Sequence, residues 1–313
     1  MGNRKVPTIN EANLLYLILG ILLLTVGSVV QQINLNVGLL VTEYILILIP
    51  VILFLRLKGY SVKKVLRIKP INIKEVIFIF FIIVFSYPIA VFFNFIIITI
   101  IDLFSDLTNV GVPIPTTINE FLISLFVIGI TPGICEEVFF RGLMLNSYEK
   151  LGKNKAIIIT SLLFGLFHFN IFNLVGPVFL GIILGIIYFK TNSIFGAMLG
   201  HAINNSIALT LGFLATTRFN EIEDIVTNTP NISQTQEIFY AFMTLFILSL
   251  ISTAILVQLF KNFPKKENIV DEDELLELNI DGDMDTIEKI NWAPITIVIL
   301  IFIFINSMLF IIF

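Results

Sequence analysis

The sequence predicts an all-α, polytopic membrane protein with about eight or nine transmembrane helices. Three observations carry this. Of the 313 residues, 57% are hydrophobic and only 13% charged, against about 25% charge in a soluble domain. The mean hydropathy is +0.98. The apolar residues also fall in continuous runs, whereas the strands of a membrane β-barrel would alternate over about ten residues. A hydrocarbon core of about 30 Å takes about 20 apolar helical residues. Runs of suitable character are 13–31, 38–55, 75–101, 119–147, 156–170, 173–189, 194–214, 237–260 and 293–313, with 156–170 and 173–189 the shortest. The first follows Arg4 and Lys5 as a signal peptide would. It is long and lacks a small-residue cleavage site behind it, so it reads as a retained helix.

The basic residues orient these spans. The loop from Arg56 to Lys74 holds seven Lys and Arg and no acid. Placing it in the cytoplasm puts the N-terminus there too. Alternation then brings 17 of the 19 basic residues to that side, the exceptions being Arg218 and Arg141. The expected protein is a multi-pass protein of the cell membrane with a cytoplasmic N-terminus. Three regions follow: N-terminal helices over 1–114, a core over 115–215, and C-terminal helices over 216–313. The last contains a polar loop, 261–292, with ten acids between Glu267 and Glu288. Within it, Asp281 to Asp285 resembles the start of a calcium loop. Thr286 and Trp292 stand where that loop needs Gly and Glu, which excludes an EF-hand. The single cysteine, Cys135, excludes an internal disulfide and reads as a small apolar filler.

The residues that a bilayer should reject are the informative ones, because a charged group at mid-helix costs about 2.5–3.5 kcal/mol on insertion scales. The run 119–147 carries Glu136, Glu137 and Arg141, 156–170 carries His168, and 194–214 carries His201, Asn204 and Asn205. Glu137 and Arg141 are four apart, acid first, and predict an ion pair. Glu136 points about 100° away on the wheel, which leaves it as the carboxylate available for chemistry. His201 and Asn205 share a face, and Asn204 is off it and reads as a packing residue. Phe164 lies one turn from His168 and packs against it. Pro132 and Gly133 predict a kink. Counting from the helix ends puts Glu136, His168, His201 and Asn205 at depths of about 10–18 Å, given about 1.5 Å rise per residue.

A carboxylate, two imidazoles and an amide at one depth suit hydrolysis: Glu136 as general base on a water, His168 polarising that water, and His201 with Asn205 donating to an oxyanion. A metal is the competing use, with Glu136, His168 and His201 as the ligands of a zinc site assembled across helices. The metal-free scheme, with no cofactor, is the preferred expectation.

These residues, in this order, resemble the CPBP family, the CAAX prenyl endopeptidases and bacteriocin-processing relatives also called Abi. Glu136-Glu137-x-x-x-Arg141, Phe164-x-x-x-His168 and His201-x-x-x-Asn205 match its three motifs without departure. The resemblance covers roughly 115–215. It implies an intramembrane endopeptidase of the glutamate type. In it Glu136 and His168 activate water, His201 and Asn205 form the oxyanion hole, and Glu137, Arg141 and Phe164 give structural support. The implied partners are the bilayer and a membrane-associated peptide or protein, with no nucleic acid. The Phe-, Ile- and Asn-rich composition suggests a prokaryote, which favours processing of a peptide or membrane protein, or bacteriocin immunity, over prenylated substrates. The alternative of another class is a non-enzymatic immunity or peptide-binding factor.

Overall fold

The computed structural model describes residues 6–103, 114–226, 233–264 and 289–312. Among them there is no strand. Nine main helices follow one another: α1 (Ile9–Ile33), α2 (Leu35–Leu57), α3 (Ile73–Asp102), α4 (Ile118–Leu151), α5 (Lys153–Leu166), α6 (Val175–Thr191), α7 (Ile194–Val226), α8 (Gln234–Lys261) and α9 (Ala293–Ile312). Seven segments are long and apolar enough to cross a membrane; α5 is not among them, and α9 contributes a shorter apolar helix, Ala293–Met308. Arg4, Lys5, Lys265, Lys266 and the acids from Glu267 to Glu288 lie outside the described residues.

Helix starts follow local chemistry. Thr8 with Glu11, Asn72 with Glu75, Thr117 with Glu120 and Ser233 with Gln236 form reciprocal capping boxes that satisfy the first free N–H groups. Between α1 and α2 the chain reverses at one extended residue, Asn34, whose side chain accepts from Val37 N–H.

Two helices depart from the expected boundaries. The run 156–170 ends as a helix at Leu166, so α5 has 14 residues and a length of about 21 Å, less than the hydrocarbon core. Phe169 takes a left-handed backbone, φ 50°, which no α-helix continues through. His168 is therefore on a connector just past the helix end. In contrast, α7 runs to Val226, through part of the expected outer loop 215–236.

The central helix α4 is irregular where it meets its partners. Two π-helical stretches, Leu125–Ile130 and Val138–Leu145, flank the α-helical Thr131–Glu137. Such wide turns concentrate at functional sites. Gly133 lets α4 close onto the backbone of α7: a Cβ there would stand 3.0 Å from Ala202 N and 3.1 Å from Met198 O. Gly181 does the same for α6 on α5, where a Cβ would meet Ser161 Cβ at 2.8 Å. An aromatic block of Tyr16, Phe139, Phe140, Phe164 and Phe167 fills the centre, and Tyr16 donates to Leu163 O at 2.7 Å. The block ties α1 to α4 and α5 beneath the site.

The Gly133 contact carries a prediction. Gly133→Val forces α4 off α7 and lowers the thermal inactivation midpoint of the detergent-solubilised protein. Ile134→Val, on the exposed face one residue on, leaves it unchanged.

Candidate active site

The site is built around one carboxylate oxygen. Glu137 Oε1 accepts from Arg141 Nη1 at 2.7 Å and from His201 Nδ1 at 2.8 Å. The first contact is one turn along α4, and the second crosses to α7. Arg141 Nη2 donates onward to Gly181 O on α6 at 3.2 Å. Its guanidinium also lies over the Phe164 ring, 4.7 Å from the centroid, a cation–π contact favoured by desolvation. Glu137 and Arg141 are buried, at 0% and 3% side-chain exposure. Their charges therefore need each other, since breaking such a pair leaves an uncompensated buried ion.

Glu136 differs from its neighbour. Its side chain keeps 13% exposure, and its Oε2 stands 3.9 Å from His201 Nε2. His201 is thus held from one side by Glu137 and faces Glu136 on the other. With Nδ1–H donating to the Glu137 carboxylate, neutral His201 has a bare Nε2. It becomes a donor there only as imidazolium.

His168 reaches the same region by a different route. The end of α5 leaves the Phe164 carbonyl without a regular helix donor, and His168 Nδ1 pairs with that oxygen at 3.0 Å. A carbonyl only accepts, so Nδ1 carries the proton and Nε2 keeps a lone pair. The Phe164 ring stands edge-on to both imidazoles, with centroids 5.3 Å from His168 and 5.7 Å from His201. Phe164 is the buried spacer between the two histidines.

Asn205 is placed beside this group and has no hydrogen bond to it. Its Nδ2 donates to Ile128 O on α4 at 3.0 Å, and its Oδ1 accepts from Asn204 Nδ2 at 3.2 Å. Asn204 is therefore the backing of Asn205. Among the described residues, no group of three or more His, Cys, Asp or Glu side chains is arranged to hold a metal. Glu136, His168 and His201 do not converge as such a set.

Three polar residues near the site were missed by the motif reading. Glu43 on α2 is 5% exposed, its Oε2 makes no hydrogen bond, and it lies within electrostatic reach of Glu136 and Cys135. Asn306 on α9 is 3% exposed. It accepts from Ile171 N–H at 2.8 Å and donates to Phe169 O at 3.3 Å, so it clasps the connector behind His168. Asn94 on α3 accepts from Gly176 N–H at 2.9 Å at the start of α6. The signal was present: each is an acid or amide inside an apolar run outside the motifs.

Residues 118–207 match the family model described as Type II CAAX prenyl endopeptidase Rce1-like. The matched segment contains all three motifs and every residue of the cluster on α4, the His168 connector and α7. Over this segment the chain is similar to a class of CAAX-type prenyl endopeptidases. The motif resemblance and the family model agree over this segment. No curated protein and no solved structure matches the chain.

Two predictions follow from the geometry. Arg141→Ala strands the buried Glu137 charge and destabilises the protein by about 3–5 kcal/mol, measured by SDS-induced unfolding in mixed micelles. Arg141→Lys recovers little of this, because one ammonium cannot reproduce the fork that reaches both Glu137 and Gly181 O. Asn306→Ala frees the connector after α5, so amide hydrogen exchange over 167–173 accelerates while that of α6 does not.

Proposed function

We propose that the protein is an intramembrane endopeptidase of the glutamate type, in which Glu136 activates the water that attacks the peptide bond. The observation that carries this is the unequal use of two adjacent carboxylates. Glu137 is buried with its Oε1 held by Arg141 and His201, whereas Glu136 stays partly open and faces His201 Nε2 at 3.9 Å.

The chemistry follows from the donor and acceptor pattern. A water at the site has two protons to give and finds two acceptors, the Glu136 carboxylate and the bare Nε2 of His168. That holds the oxygen lone pair towards a carbonyl carbon, and Glu136 takes the proton as the C–O bond forms. The tetrahedral intermediate carries negative charge on the former carbonyl oxygen. His201 as imidazolium, its Nδ1–H on Glu137, donates from Nε2, and the second Nδ2 hydrogen of Asn205 completes the hole. The proton on Glu136 passes to the leaving nitrogen when the C–N bond breaks. No metal or cofactor takes part in this scheme.

The catalytic core is assigned to 115–215, and the N-terminus and the basic loop 56–74 to the cytoplasmic side of the cell membrane. The substrate class is a membrane-associated peptide or protein of a prokaryotic cell.

Glu136→Gln lowers cleavage by on the order of 10²–10⁴-fold while the protein still inserts and folds, because Glu136 is outside the buried pair. The check is proteomics of wild-type and Glu136→Gln strains. A precursor that accumulates in the variant is the expected result. Full processing in the variant excludes the scheme and favours a peptide-binding or immunity role.

A further inference from the structure

We propose that Pro132 is a positioning residue for Asn205: by taking a donor out of α4 it turns a main-chain carbonyl into the mount for the Asn205 amide. The inference rests on the endopeptidase reading above.

In a regular helix the Ile128 carbonyl would accept from the N–H of residue 132. Residue 132 is proline and has none, and its ring crowds the carbonyl four residues back and turns it away from the helix axis. The donor before it does not fill the gap. Thr131 sends both its N–H and its hydroxyl to Phe126 O, five residues back. A carbonyl buried in a membrane protein without a partner costs several kcal/mol, so this turn of α4 calls for a donor from outside. Asn205 supplies it, with Nδ2 3.0 Å from Ile128 O.

Proximity and orientation are provided by separate contacts. Gly133, next to Pro132, brings the two backbones together at Ala202 and Met198, one turn before Asn205. Asn204 Nδ2 donates to Asn205 Oδ1 at 3.2 Å. The amide is therefore held at both ends with its nitrogen towards α4. One Nδ2 hydrogen is engaged by Ile128 O, and the other remains for a substrate oxygen. The donor that proline removes thus has a chemical consequence: a helix defect on one span aims a side chain on another.

The test is a double-mutant cycle on the full-length enzyme in proteoliposomes. The substrate is the precursor that accumulates in the Glu136→Gln strain. Wild type, Pro132→Ala, Asn205→Ala and the double variant are compared, with Glu136→Gln as the reference for lost chemistry. Pro132→Ala restores the N–H and lets the Ile128 carbonyl turn back into the helix. The expected result is a loss of about tenfold in kcat with KM within about twofold, set against about 10²–10³-fold for removing an oxyanion donor outright. In the Asn205→Ala background, Pro132→Ala adds less than about twofold, because the two act through one contact. An unchanged kcat in Pro132→Ala, or losses that multiply independently, overturns the proposal. If Pro132→Ala does not accumulate, Pro132→Ser replaces it, and failure of both to fold also overturns it, since the role claimed is aiming a side chain and not holding the bundle. Glu136→Gln that still cleaves at the wild-type rate defeats the endopeptidase reading. An inactive Glu136→Gln beside a fully active Pro132→Ala defeats this inference alone.

Discussion

One oxygen, Glu137 Oε1, holds the site together. It accepts from Arg141 along α4 and from His201 on α7, and Arg141 passes the connection on to α6 through Gly181 O. In a low-dielectric interior an unpaired carboxylate or guanidinium is expensive, so these helices are confined to the one arrangement that keeps both groups paired. The surrounding packing serves that arrangement. Gly133 admits α7 to α4 and Gly181 admits α5 to α6. The aromatic block around Phe164 excludes water from the pair while separating the two histidines.

The adjacent acids thereby divide two tasks. Glu137 is at 0% exposure, with two partners on Oε1 and no hydrogen bond on Oε2; Glu136 is at 13%, with His201 Nε2 3.9 Å from its Oε2. Glu137 is tied to Arg141 and His201, whereas Glu136 lies outside that pair. The same logic sets the histidines. Each spends Nδ1 on a fixed protein oxygen, Phe164 O for His168 and Glu137 for His201. Irregular backbone provides the rest, in the π turns of α4, the early end of α5 and the proline beside Gly133.

Much of this was legible in the sequence because a bilayer penalises polar residues so heavily. Glu136, Glu137, Arg141, His168 and His201 stood out as unwelcome in apolar runs, and the four-residue spacing of Glu137 and Arg141 pointed to the pair they form. The helical architecture was equally legible from the length of the runs. Periodicity did not show that α5 stops at Leu166, since the decisive feature is the left-handed backbone of Phe169, which composition does not reveal. The Glu137–His201 bond was also hidden: it joins residues 64 positions apart and depends on how closely α4 and α7 approach. Glu43 and Asn306 were readable by the rule that found the motif residues, but they lie in spans outside the motifs, and only tertiary packing brings them to the site.

The central claim is that Glu136 acts on water and not on the peptide itself. A single turnover in water enriched in oxygen-18, with the protein in excess over substrate, separates the two. If Glu136 is a base, the label enters the new carboxyl terminus of the product, and Glu136 recovered by mass spectrometry carries none. If Glu136 attacks the carbonyl as a nucleophile, hydrolysis of the resulting anhydride at the enzyme carboxyl leaves label on Glu136, and that result would contradict the account.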